Sequence, residues 1–319
     1  MEFTRELITK IYSQLYTIRV FESRCIKLYR NGLIRGYFHP YLGEEAIAVG
    51  VCAALNQEDY ILSTHRGHGH CLAKGATIDR MTAELLGKET GYCRGMGGSM
   101  HIAEIATGNL GANGVVGAGI PIAVGAALSA KISKSGKVAV AFSSDGATCN
   151  GTFAESISVA AMWDLPLIIV IENNQYAVST PVEESARETD LYKRALGYGV
   201  VTSGVDGNDV RAVYEKAVEA VNLCREGKGP VVIEAKTYRH QGHHVNDPGT
   251  YMPKEKMDYY LKKDPVTIGR KYLSNFLSDD EIIKMEKEID REMDDAVDFA
   301  QNSNEMSVEE FHQNIQKYN

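Results

Sequence analysis

The chain has 319 residues, 44% hydrophobic and 24% charged, with a formal net charge of -8, which is ample material for a large buried core. The acidic balance argues against nucleic acid or an anionic membrane as a main partner; no apolar run is long enough to span a bilayer, and no charged-then-apolar leader follows Met1. Six cysteines, none in a Cys-x-x-Cys pair, suit the reduced thiols of a cytoplasmic protein better than a disulfide framework or a zinc site.

Residues 4–31 set Leu7, Ile8, Ile11, Leu15, Ile18, Phe21 and Cys25 at helical spacing, and Asn31-Gly32 suits a left-handed cap. A loop over 35–43 carries His39 beside Pro40 and enters a small-residue helix at Glu44; on its residues alone His39 reads most simply as a solvated side chain. Residues 60–62 form a short strand that opens into a basic, Gly-rich loop, where Arg66 and amides freed by Gly67 and Gly69 suit phosphate. His65, His68 and His70 also allow a metal tract, but zinc is disfavoured because no acidic or cysteine partner stands at helical ligand spacing. Beyond a helix over 79–86, the stretch to Gly119 is dense in glycine. Gly117-Ala118-Gly119 is no dinucleotide fingerprint, since the third glycine is missing and no apolar strand precedes it. The Ala- and Gly-rich helix 120–132 suits close helix contact, inside the domain or against a partner.

The centre of the chain reads as a βαβ unit. Residues 138–142 run apolar and break at Ser144-Asp145-Gly146; a helix from Thr152 presents Phe153, Ile157, Ala160, Ala161 and Leu165; residues 167–171 run apolar and break at Glu172-Asn173-Asn174. Such runs suit strands covered on both faces of a parallel sheet, where ligands lie beyond the carboxyl ends. Asp145 and Asn174 then meet from neighbouring strand ends as hard oxygen ligands for magnesium or calcium, which predicts a phosphorylated ligand. Further on, 182–196 reads as loop and helix, 199–202 as a strand, 206–209 as a turn capping a helix, and 231–235 as a strand opening into a His-rich loop. Helices follow from Asp264, their acidic charge a solvated face. The fold class is α/β, a mostly parallel sheet with helices on both faces, in one domain over 1–319.

The Asp-Gly turn and the Asn-Asn pair, with 147–172 between them, resemble the thiamine diphosphate motif, Ser144 standing where its first glycine usually does. An ordinary turn and an unrelated amide pair explain either piece alone, but not both at this spacing. The flanks AFSSDGATCNGTFAES and LPLIIVIENNQYA are similar to alpha subunits of the heterotetrameric thiamine-dependent 2-oxoacid dehydrogenases, most closely the acetoin branch, and the likeness covers about 7–299. The resemblance implies a thiamine diphosphate-binding fold with helical extensions at both ends. It implies Asp145, Asn174 and the Tyr176 carbonyl as magnesium ligands. His65, Arg66, His243 and the backbone of Gly146 and Ala147 would face the diphosphate; the backbone of Gly114 and Val116, the aminopyrimidine; and His39 and His68, as catalytic groups, the reactive thiazolium carbon.

It also implies an alpha2–beta2 assembly whose beta subunit supplies a glutamate to the aminopyrimidine. The implied reaction cleaves acetoin, or oxidatively decarboxylates pyruvate, and passes the acyl unit to lipoamide on an acyltransferase component. STHRGHGHCLAKG looks most like the acetoin enzymes and HVNDPGTY like the pyruvate enzymes, with branched-chain 2-oxoacids behind both. Two other readings stand beside these: a one-chain thiamine enzyme, which needs both halves of the cofactor site where this chain holds one, and a non-catalytic magnesium- and phosphate-binding subunit, which keeps Asp145 and Asn174 but needs no histidines around the reactive carbon.

Overall fold

A computed structural model describes residues 3–316. Helices α1 (Arg5–Arg30) and α2 (Glu45–Ala53) precede β1 (Tyr60–Ser63), α3 (Gly67–Ala73), α4 (Ile78–Leu85) and β2 (Asn109–Ala112). The central unit follows as α5 (Gly119–Ile132), β3 (Ala139–Ser144), α6 (Gly151–Met162) and β4 (Leu167–Asn173). A small antiparallel pair, β5 (Tyr176–Ala177) and β6 (Thr180–Pro181), leads through α7 (Val182–Ser185) to β7 (Val201–Asp206), α8 (Val210–Arg225) and β8 (Val231–Lys236). The chain continues through α9 (Lys254–Leu261), α10 (Pro265–Leu273), α11 (Asp279–Asn302) and α12 (Val308–Gln316).

Six strands pair in the order β2-β1-β3-β4-β8-β7, each pairing parallel, so all their carboxyl ends lie along one edge. The period of two along each strand sorts the core into two halves. Ala139, Ala141, Leu167, Ile169 and Ile171 pack with Ile120, Ala123 and Ala127 of α5 and Phe153, Ile157 and Ala160 of α6. Val140, Phe142, Ile168, Val170 and Ile233 face the other way, towards α1, α2 and α8. All these strand residues are buried, and each such aliphatic side chain contributes ~1.5–3 kcal/mol relative to an exposed one. A helix cap contributes only about 1 kcal/mol, so burial on two faces, rather than local propensity, holds the site-bearing strand ends in place.

Local signals set the helix ends. Thr4 accepts the Leu7 N–H to start α1, and Gly32, at φ +78°, takes the left-handed position after it. Asp209 caps α8, and Ser278 with Glu281 forms a capping box on α11. The acidic face of α11 is not wholly solvated: Tyr12 donates to Glu286 and Arg24 pairs with Asp294, tying α11 to α1.

Several expectations are corrected. The Gly-rich loop after β1 is the helix α3, because its glycines serve close packing rather than freedom: a Cβ on Gly69 would lie 2.2 Å from the Tyr41 ring. The strand expected at 199–202 starts at Val201, since Gly199 is left-handed at φ +72°, and it runs on to Asp206 because β8 pairs with it throughout. The stretch before Gly117 does contain a strand, the short edge strand β2, which pairs with β1. On α5, Ile120, Ala123 and Ala127 pack inside the domain, while a Cβ on Gly125 would meet nothing within 4 Å. The Gly-rich turns at 91–98 are organised by Glu84, whose buried carboxylate accepts the N–H groups of Cys93 (2.8 Å), Gly95 (2.9 Å), Gly97 (2.8 Å) and Gly98 (3.0 Å).

No helix among the described residues is long and apolar enough to cross a membrane.

Candidate active site

Because β3 and β4 are neighbours, their chain breaks fall side by side. Asp145 follows β3 and Asn174 follows β4, and both line one cleft at the carboxyl edge of the sheet. Thr64, His65, Arg66, Val116, Gly146, Tyr176, Arg239 and His243 complete much of its wall. Asp145 is 5% exposed, and burial pushes its carboxyl up to about 6 despite the Gly146 amide and the Arg239 charge that favour its ionised form. A hard cation beside it offsets that cost. Asn174 donates from Nδ2 to Glu44 Oε2 at 3.1 Å, which leaves its Oδ1 accepting only a long bond of 3.4 Å from the Tyr176 N–H.

Arg66 is buried at 3% exposure by contacts from three directions. It donates to the Pro40 carbonyl at 2.6 Å and the His243 carbonyl at 2.7 Å, and its Nε lies 3.8 Å from Glu44 Oε1. These bonds aim a fixed positive fork at the cleft. Ser144, in the place of the usual glycine, accepts the Ala147 N–H at 3.2 Å, and Gly146 runs so close to Ala177 that a Cβ on it would lie 2.9 Å from that methyl group. Val116 lines the cleft, its carbonyl accepting from Asn150 at 3.2 Å, whereas Gly114 lies beside His101 and Met100, off the cleft wall.

The histidines divide into two kinds. His39 is buried, with its ring centre 4.9 Å from those of His65 and His243. Burial, then the Arg66 charge, lowers His39 to about 3 and His243 to about 4, and pushes His65 below the usual range, so all three are neutral near pH 7. His68 is not part of the cleft wall. Its Nδ1 meets Glu22 at 2.9 Å, its Nε2 meets Ser99 at 2.9 Å, and its ring stacks on Phe38. With both nitrogens held, His68 ties α3 to α1 through Glu22 and to the loop at Ser99.

Three groups in the wall were not singled out in the sequence. Arg239 donates to the carbonyls of Tyr176 (3.1 Å) and Val178 and to the Tyr251 hydroxyl (2.6 Å). It thus occupies one lone pair of the Tyr176 oxygen expected to bind metal and leaves the other. Burial, opposed first by Arg66, pushes Glu44 up to about 8. Glu172 holds His70 at 2.9 Å and Tyr41, anchoring α3 beneath the cleft. Arg239 stood in sight beside the His-rich loop; Glu44 and Glu172 carried no local signal.

Residues 13–309 match the family described as dehydrogenase E1 component. The chain belongs to that family. It is 43% identical over 304 residues to the alpha subunit of acetoin:2,6-dichlorophenolindophenol oxidoreductase of Bacillus subtilis (strain 168), covering 95% of this chain and 91% of the relative. Against the same subunit from Cupriavidus necator the figures are 46% over 254 residues, 80% and 76%. The pyruvate dehydrogenase E1 component subunit alpha of Rhizobium meliloti is 37% identical over 317 residues, covering 98% and 91%. As an E1 dehydrogenase chain the protein is a thiamine diphosphate-dependent oxidoreductase subunit that uses a divalent metal. Its cleft suits that cofactor: oxygen donors with a buried carboxylate for the metal, guanidinium and imidazole groups for a diphosphate, and a buried His65 Nε2 with no hydrogen-bond partner among the described residues, as is also true of Nδ1 of the adjoining His39.

The neutral histidines make stability depend on pH. For His39 the unfolded chain, with an ordinary pKa of about 6.5, binds more protons than the folded one between that value and about 3. Its contribution is therefore complete above pH 6.5 and is lost as pH falls. Thermal melts at pH 7.5 and 5.5, with chelator present, should show wild type losing more stability than His39→Gln, by at most about 1 kcal/mol after solvent screening. Equal losses in the two proteins would contradict this burial of a neutral ring.

Proposed function

We propose that this chain is the alpha subunit of an acetoin-cleaving dehydrogenase of the cytoplasm, working as an alpha2–beta2 assembly that passes an acyl unit to a lipoyl-bearing acyltransferase. The observation that carries the reading is the convergence of Asp145 and Asn174, from adjacent parallel strand ends, on a cleft walled by Arg66, His65 and His243. In this reading Asp145, Asn174 and the free lone pair of the Tyr176 carbonyl hold magnesium. Arg66, His65, His243 and the backbone of Gly146 and Ala147 hold the diphosphate; the Val116 backbone holds the aminopyrimidine, and Gly114, off the cleft wall, has no part in this reading. Thiamine diphosphate, when bound, supplies a nucleophilic carbon that adds to a carbonyl and accepts the electron pair of the breaking carbon–carbon bond. His39, neutral and with Nδ1 unengaged, hydrogen-bonds the substrate oxygen and moves its proton. His68 acts through packing, holding α3 and the Arg66 turn.

Acetoin is favoured over pyruvate because the histidines at this corner are neutral and the Arg66 charge is taken up by Glu44 and by the diphosphate it holds in this reading, so an uncharged hydroxyketone fits better than a carboxylate. The higher identity to acetoin-enzyme subunits points the same way. A beta subunit suits the apolar side chains left exposed on α5, α6 and the preceding loop, Val115, Ile122, Met162 and Trp163 among them. The test is turnover by the assembled pair with an artificial electron acceptor. Acetoin should exceed pyruvate at least about tenfold in kcat/KM, a gap of ~1.4 kcal/mol. Preference for pyruvate would favour the pyruvate reading, and turnover of neither, with cofactor bound, would favour a non-catalytic subunit.

A further inference from the structure

Three imidazoles meet from three distant parts of the chain, His65 after β1 and His243 after β8 on the cleft wall and the buried His39, before α2, packed behind them. Their ring centres lie 4.9 Å (His39–His65), 4.9 Å (His39–His243) and 5.5 Å (His65–His243) apart, and one nitrogen of each falls within 4.8 Å of the others. A tetrahedral zinc ion with bonds of roughly 2.1 Å sets three imidazole nitrogens about 3.4 Å apart and the ring centres about 5 Å apart. The rings here already have that spacing, and only a tilt is needed to bring the nitrogens together. His39 Nδ1 and His65 Nε2 are buried with no hydrogen-bond partner among the described residues, and Arg66 Nη2 lies 3.4 Å from His243 Nδ1, which leaves Nε2 as that ring's ligand atom.

We propose that His39, His65 and His243 form a second cation site, selective for zinc-class transition ions and distinct from the oxygen site at Asp145 and Asn174. Imidazole nitrogen suits zinc, cobalt, nickel and copper, while carboxylate and amide oxygen suit magnesium, so one cleft sorts two kinds of ion. The fourth coordination position faces the cleft and takes water or a substrate oxygen. The Arg66 charge opposes the ion and keeps its affinity below that of a closed structural site. An ion at this corner ties up the imidazole that the acetoin reading assigns to substrate, His39, and the two it assigns to the diphosphate, His65 and His243, so the site is inhibitory. Within the tract 65–70 the other two histidines are engaged elsewhere, His68 by Glu22 and His70 by Glu172. The partners of His65 come instead from 26 and 178 positions away in the chain.

The test is a titration of chelator-stripped full-length chain, alone and with its beta partner, with cobalt(II) in saturating magnesium and no thiamine diphosphate. The expected result is one cobalt per chain with the strong visible absorption of four-coordinate cobalt, displaced by zinc and weakened at least about tenfold in His39→Ala and in His65→Ala. His65→Tyr, which removes the ligand but fills the space, stands in if an alanine variant does not fold. Only weakly absorbing six-coordinate cobalt that magnesium competes away, or full affinity in the variants, would overturn the proposal. The result is independent of the thiamine diphosphate reading, which is scored on the same preparation by cofactor calorimetry.

Discussion

Asp145→Ala is expected to abolish magnesium-dependent binding of thiamine diphosphate. The side chain is the sole carboxylate at the end of β3, 5% exposed, and its elevated pKa of about 6 records how unfavourable its charge is there with no cation beside it. Outer-sphere partners of a bound metal are typically worth about 10–100-fold in affinity, and a direct ligand is worth more, so the loss should exceed about 100-fold. The fold should survive. The turn is held by the Asp145 backbone carbonyl, which accepts from the Thr148 N–H at 3.1 Å and its hydroxyl at 2.7 Å, and both bonds remain in the variant. Asp145→Asn, of the same shape, should lose nearly as much. Calorimetry showing wild-type cofactor affinity in Asp145→Ala would move the metal elsewhere.

The chain alone should leave both acetoin and pyruvate untouched. The smaller cleft beside Val116, lined also by Ser63, Thr64, His65, Asn113, Gly117 and Phe142, has no carboxylate among its lining residues. The glutamate that the proposed reading takes from a beta subunit has no counterpart among these lining residues. Val115 and Val116 are 67% and 46% exposed, so that side of the cleft is open to solvent until another polypeptide covers it. Turnover should rise from background to an ordinary enzymatic rate on adding the beta chain. A preparation shown by mass spectrometry to be free of any partner, yet cleaving either substrate, would favour a one-chain enzyme.

The βαβ unit was legible in the sequence because its signals are local. Apolar runs ending in Asp145-Gly146 and Asn173-Asn174 specify buried strands and polar turns within about 40 residues of chain, and α8 declared itself by the stripe Val210, Val213, Ala217, Val221 and Cys224, all buried. What local pattern could not give is long-range contact. Gly67 and Gly69 look like loop glycines until Tyr41 and Ser63 are packed against them. Nothing near Glu84 announces that four amides of 93–98 converge on it, and His68 resembles its neighbour His65 in sequence while lying between Glu22 and Ser99. The meeting of His39, His65 and His243 is likewise a property of the folded chain alone.

The central claim is that the carboxyl ends of β3 and β4 build a site for a metal-bound diphosphate. Its most direct test is calorimetric titration of thiamine diphosphate into the assembled protein with saturating magnesium, repeated with excess chelator and with thiamine lacking the diphosphate. The account predicts binding in the first titration only. Equal binding with chelator, or of unphosphorylated thiamine, would contradict it.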